Sequence, residues 1–195
     1  MNSLIISILT ITLFVPLPAS SQPQNFHEKD NAMKGAVLGF AKKPVYFDIE
    51  KGMSDLQFLY DHKGVRTIMS LDHCKDMTRL IDQFKRGRGL TDLDITHVCR
   101  KIRRGKRGYK KNVLLFEEVG NLIRSDTRFY IHCRYGAHRA VTALTGGWVN
   151  YSRVSFKEGF RLAGGNKSHF RSKGHHELLN HARRYSQKSQ KFYRR

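Results

Sequence analysis

Acidic residues are scarce in this chain of 195: 16 Asp and Glu stand against 36 Lys and Arg, a formal charge of +20. A field of that sign concentrates anions and raises their on-rates at low salt. The expected partners are therefore polyanions, with nucleic acid, phosphorylated proteins, polyphosphorylated small molecules and anionic membrane surfaces as candidates, although a merely solvated basic surface satisfies the charge equally well. Cysteine is nearly absent, with only Cys74, Cys99 and Cys133. In an exported chain an odd count leaves one free thiol and at most one internal pair. No internal repeat is visible. The apolar run Leu4 to Val15 is too short to span a bilayer as a helix. It runs into Pro16, Pro18, Ala19, Ser20 and Ser21, the small-residue pattern of signal-peptidase cleavage near Ser21. The chain is accordingly expected to be exported, either periplasmic or secreted.

The length suits one domain of ordinary size. The expected organisation is a signal peptide over 1–21, a leader over 22–43 that packs partly on the domain, a domain over 44–186 and a basic tail over 187–195. Within the domain, Val45 to Ile49 reads as a strand, and Ser54 with Leu56, Phe58 and Leu59 reads as a capped helix ending near Gly64. Val65 to Leu71 follows as a strand. Met77, Leu80, Ile81 and Phe84 form an i, i+3, i+4, i+7 stripe that predicts an amphipathic helix over Lys75 to Lys85. Asp92 to Cys99 has the alternation of a strand, Arg100 to Lys111 reads as a loop, and Val113 to Ile123 is apolar at helical spacing. A last strand, Phe129 to His132, leads into Cys133, and helical pattern resumes after Arg139. Gly146 and Gly147 weaken that helix by about 1 kcal/mol each relative to Ala, and would let a neighbour approach closely. Ser155 and Glu158 form a capping box ahead of a short helix, and His175 to Ser186 reads as the last helix. Strands alternating with helices predict an α/β fold with a mainly parallel central sheet flanked by helices.

The stretch His132-Cys133-Arg134-Tyr135-Gly136-Ala137-His138-Arg139 places a cysteine at a strand end and an arginine at the next helix start. Such a turn can curl backbone N–H groups around a tetrahedral anion, and a helix N-terminus adds positive potential at that point. Arg139 can grip two oxygens with its planar fork. Gly136 tolerates the backbone angles of a tight curl. Arg134, Tyr135, Gly136, Ala137, His138 and Arg139 are the expected substrate-binding residues. Cys133 is the expected nucleophile: it would attack phosphorus in line, and water would cleave the phosphocysteine.

These residues resemble the protein tyrosine phosphatase superfamily, and more closely its dual-specificity-like branch, whose hallmark is His-Cys-x5-Arg with a glycine inside the loop. The resemblance covers roughly residues 44 to 165. Gly64 to Leu71 looks like the family's early core strand, and Trp148 to Gly164 is similar to its helix, turn and capped helix after the loop. It implies a phosphoric monoester hydrolase working without cofactor or metal.

Two positions depart from the family pattern. The resemblance would put a general-acid Asp in Arg100 to Lys111, which holds no Asp or Glu but eight basic residues, and Ala140 stands where Ser or Thr is common. Asp72, at the end of its strand, and His138, inside the loop, are the alternative acid candidates. Otherwise the leaving group needs little protonation, or the chain has kept phosphate binding and lost turnover. Losing general-acid help removes about 10²- to 10⁴-fold in rate rather than all of it. A basic loop beside the phosphate favours a substrate with several negative charges, such as a polyphosphorylated inositol. A nucleic-acid partner is disfavoured, because that loop offers only Tyr109 for stacking. Cys74 and Cys99 both follow strands; they could pair under oxidising conditions, one could bond reversibly to Cys133, or both could stay free. His176 and His181 are five apart, which does not place both on one helix face as a zinc-protease motif requires.

Overall fold

A computed structural model of the chain describes residues 22–39 and 47–193, with side chains to Lys191. The expected signal peptide over 1–21 and the Val45–Tyr46 part of the first expected strand lie outside the described residues. Five strands form one sheet: β1 (His27–Lys29), β2 (Ala32–Ala36), β3 (Thr67–Ser70), β4 (Thr96–Cys99) and β5 (Phe129–Cys133). Their spatial order is β1-β2-β5-β3-β4, antiparallel only between β1 and β2. The sheet is thus mainly parallel, as expected. Because the four parallel strands run together, Ala36, Ser70, Cys99 and Cys133 all finish at one rim.

Helices α1 (Ile49–Gln57) and α2 (Cys74–Arg88) cover one face of the sheet; α3 (Tyr109–Arg124), α4 (Arg139–Ser152), α5 (Phe156–Leu162) and α6 (Lys173–Tyr193) cover the other. The α2 stripe is buried at Met77, Leu80, Ile81 and Phe84, and packs with Ile68 and Tyr130. On the opposite face Val119, Phe129, Ile131, Trp148 and Phe170 share a core. Each fully buried side chain of that size contributes roughly 1.5–3 kcal/mol by leaving water. Gly146 and Gly147 do admit a neighbour: a Cβ at either would meet Phe116 or Val119 of α3.

Several boundaries differ from the sequence reading. Segment 22–43, expected as a leader, supplies β1 and β2, and β2 pairs along its whole length with β5. Ile49 belongs to α1 rather than to a strand, since the Asp48 carboxylate accepts from the Lys51 N–H and caps the helix at 2.9 Å; Ser54 is buried inside it. The strand expected from Asp92 begins only at Thr96, because the Asp94 carboxylate accepts from the Thr91 N–H and folds 91–94 into a turn. Ser155 caps α5 as expected, but Glu158 pairs with Arg161 instead of reaching back. The last helix runs through most of the expected basic tail, to Tyr193.

Candidate active site

Cys133 ends β5, Arg139 opens α4, and the turn between them sits against the end of β2. Gly136 has φ +66°, and a Cβ there would strike the backbone of Gly35 and Ala36. Only glycine at 136 lets the turn lie directly on that backbone. The N-terminal segment ties the turn down from the same side. The Asn25 amide donates to the Tyr135 carbonyl at 2.7 Å, and the Lys34 ammonium donates to the Gly136 carbonyl at 3.2 Å and the Asn25 carbonyl at 3.4 Å. Lys34 is only 5% exposed. Burial pulls its pKa below the usual lysine value, against an opposing effect of charge at Cys133. Neither Lys34 nor Asn25 stood out in the sequence; the one available signal was a lysine within the otherwise small and apolar Ala32 to Ala36.

Cys133 is a free cysteine and 2% exposed. In front of Arg139 lies a cavity of about 370 Å³, lined by the end of the β3 segment (Leu71 to Cys74), the start of the basic loop (Arg100 to Arg103) and Arg139 itself. Cys133 is not among these lining residues. The Arg139 guanidinium donates to the Asp72 carboxylate at 2.5 Å and to the Leu71 carbonyl at 3.4 Å. Burial would raise the Asp72 pKa, but the charge and hydrogen bond of Arg139, helped by His73, outweigh it and hold the carboxyl below its usual range. Of the acid candidates, Asp72 therefore reaches the cavity as a carboxylate gripped by Arg139. His138 turns elsewhere: its Nε2 donates to the His169 carbonyl at 2.6 Å and its ring stacks on His175, with centroids 3.7 Å apart. Burial and the neighbouring His175 keep His138 below the ordinary histidine pKa. Of the remaining loop residues, Arg134 donates from Nε to His73 at 3.3 Å, and Tyr135 is about half exposed.

Beneath the loop, His132 and His97 flank the Ser70 hydroxyl at 2.7 Å each. Burial, then the neighbouring His97, His73 and Arg139, outweigh the opposing charge of Asp72 and push the His132 pKa down to about 3, so the imidazole is neutral. This polar chain, buried at Ser70 and His132 and partly exposed at His97, ties the strand ends together at the rim. Cys74 and Cys99 are disulfide-bonded, with Cα atoms 5.8 Å apart; the bond joins the start of α2 to the end of β4, where the basic loop departs. Within that loop Arg100 donates to Glu118 at 2.7 Å. The Asn112 side chain brackets the Arg103 backbone with bonds of 2.8 Å and 2.7 Å. Among the described residues no carboxylate pairs with Lys101 or Arg103.

No protein-family model and no curated protein matches the sequence. Solved structures do match. The arrangement of sheet, loop and helices is the fold of the protein tyrosine and dual-specificity phosphatases. Kinase associated phosphatase, solved with serine in place of its catalytic-site cysteine, superposes with a TM-score of 0.60 at 13% identity, over 87% of this chain and 97% of that one. PTPMT1 superposes with a TM-score of 0.58 at 12% identity, over 86% and 98%. A second structure of PTPMT1 holds PI(5)P, with a TM-score of 0.51 at 12% identity over the same shares of the two chains.

Proposed function

We propose that this chain is an exported, cysteine-dependent phosphatase that hydrolyses a phosphomonoester through a phosphocysteine at Cys133, acting on a substrate with several negative charges. The observation that carries this reading is the strand–turn–helix in which Cys133 and Arg139 bracket a turn seated on β2, beside a cavity whose far wall is cationic. An incoming phosphate exchanges with Asp72 on the Arg139 fork, which then holds two of its oxygens. The Cys133 sulfur attacks phosphorus, the S–P bond forms as the bond to the leaving oxygen breaks, and water then cleaves the phosphocysteine and restores the thiolate. The fold shared with PTPMT1, and the phosphoinositide bound to that protein, support a phosphorylated ligand here. The Leu4 to Val15 run and the Cys74–Cys99 disulfide support export, because structural disulfides persist in oxidising compartments.

The test is phosphate release from a phosphotyrosine peptide, an inositol polyphosphate and p-nitrophenyl phosphate. Cys133→Ser is expected to remove about 10⁴-fold or more of the turnover, and Arg139→Ala about 10²- to 10³-fold. A second reading, a module that binds phosphorylated ligands without turnover, is favoured by the absence of any acid in Arg100 to Lys111 and by the engagement of Arg139 with Asp72. Ligand binding lost in Arg139→Ala, with no phosphate released by the wild type, would establish that alternative.

A further inference from the structure

The proton that a leaving alcohol needs has no uncommitted carboxyl or imidazole source among the described residues at this cavity. Asp72 is held by Arg139. His73, which also lines the cavity, directs Nδ1 to Asp76 at 3.2 Å and offers Nε2 as acceptor to Arg134. His138 donates its Nε2 proton to His169, and the nearest acid of α3 to the basic loop, Glu118, is bound by Arg100. The undescribed residues supply no further candidate, since 1–21, 40–46 and 194–195 contain no Asp, Glu or His. What the cavity does present opposite Arg139 is cationic: Lys101 and Arg103, with no carboxylate partner among the described residues. An ammonium is a far weaker acid than a carboxyl, whereas both cations can neutralise a leaving group that departs as a stable anion.

We propose that the preferred scissile bond is a terminal phosphoanhydride, as in inorganic polyphosphate or a nucleoside triphosphate, rather than the ester of an aliphatic alcohol. This rests on the cysteine-phosphatase reading above. The Cys133 thiolate attacks the terminal phosphorus and the S–P bond forms. The P–O bond to the bridging oxygen breaks, its electron pair stays on that oxygen, and the shortened phosphate chain leaves as an anion between Lys101 and Arg103 without taking up a proton. Water then attacks the phosphocysteine, inorganic phosphate departs, and the thiolate is regenerated with the water's proton released to phosphate or solvent. A phosphate leaving group is a far weaker base than an alkoxide, so the lack of an acid in the basic loop and the cations that stand there serve one bond type.

The full chain is tested with tripolyphosphate, ATP, myo-inositol hexakisphosphate and p-nitrophenyl phosphate. The inositol compound carries more negative charge than either anhydride but only alkyl esters, so faster release from the anhydrides cannot be an effect of charge. Cys133-dependent release from tripolyphosphate or ATP is expected to exceed that from the inositol compound by about 10²-fold or more, and the better of the two anhydrides identifies the source. Lys101→Ala with Arg103→Ala is expected to lower kcat/KM for the anhydride about tenfold more than for p-nitrophenyl phosphate. Equal or faster release from the inositol compound, equal losses in the double variant, or a 10²- to 10⁴-fold fall in kcat with Asp72→Asn would each overturn the inference while leaving the phosphatase reading intact. Absence of Cys133-dependent release even from p-nitrophenyl phosphate would overturn both.

Discussion

The turn that carries Arg139 to the cavity and the basic segment that lines it are held in place by different means. Cys133 to Arg139 rises from β5, buried along its whole length, into α4, whose residues from Ala140 to Val149 are buried without a break. Arg100 to Arg103 leaves β4, an edge strand that is only half covered, and is held by one disulfide, one exposed ion pair and the Asn112 bracket. Gripping an anion requires atoms fixed to fractions of an ångström, and core packing provides that. Neutralising a departing charge requires only cations nearby, and a tethered loop is sufficient.

Three experiments could break this contrast. The largest effect is expected beneath the rigid turn, where His132 is neutral when folded, with a pKa of about 3, and ordinary when unfolded. Because the folded pKa is the depressed one, the unfolded chain binds the proton first as pH falls. The stability from this residue is full above about pH 6.5 and is lost toward pH 3, at roughly 1.4 kcal/mol per pH unit. Urea unfolding from pH 7 to 4 should therefore show a shallower slope, by about one proton, in His132→Gln than in the wild type. Identical slopes would mean that the imidazole is not locked neutral.

Next is the tether. Its 25-residue span predicts a loss of about 3.5 kcal/mol in the Cys74→Ser, Cys99→Ser double variant. Amide exchange should accelerate at 100–105 far more than at 133–139; uniform acceleration would erase the distinction between the two segments. The smallest effect is expected at the clamp from the N-terminal segment. Lys34→Met removes donors from the Gly136 and Asn25 carbonyls and should lower stability by about 1–2 kcal/mol. It should also lower kcat for p-nitrophenyl phosphate more than it raises KM, with partial rescue in Lys34→Arg, whereas a purely structural lysine would leave kcat of the folded fraction unchanged.

The same contrast explains what was legible in the sequence. β5, the turn and α4 could be read because a buried parallel strand is largely apolar and the Cys–Gly–Arg spacing, weak by itself, falls between a strand pattern and a helix pattern. The α2 stripe was equally plain. β1 and β2 were not, since Ala-Met-Lys-Gly-Ala lacks β-branched residues and interrupts its apolar pattern with Lys34, which is tolerated only because two backbone carbonyls receive its ammonium. The Arg139–Asp72 pair joins residues 67 apart in sequence, a closeness that local pattern does not encode. Asp72 was visible as a rim residue, but its bond to the guanidinium was not.

The seat of the turn from Cys133 to Arg139 also matters to anyone handling this molecule. Gly136 rests directly on Gly35 and Ala36, and the turn is laced to Asn25 and Lys34. A shortened version begun at residue 44, where regular pattern first becomes obvious, would keep every helix and three strands yet discard the floor under the reactive turn. Such a fragment could stain, purify and scatter light like a healthy protein while being dead at the bench for a reason that no helix content would reveal.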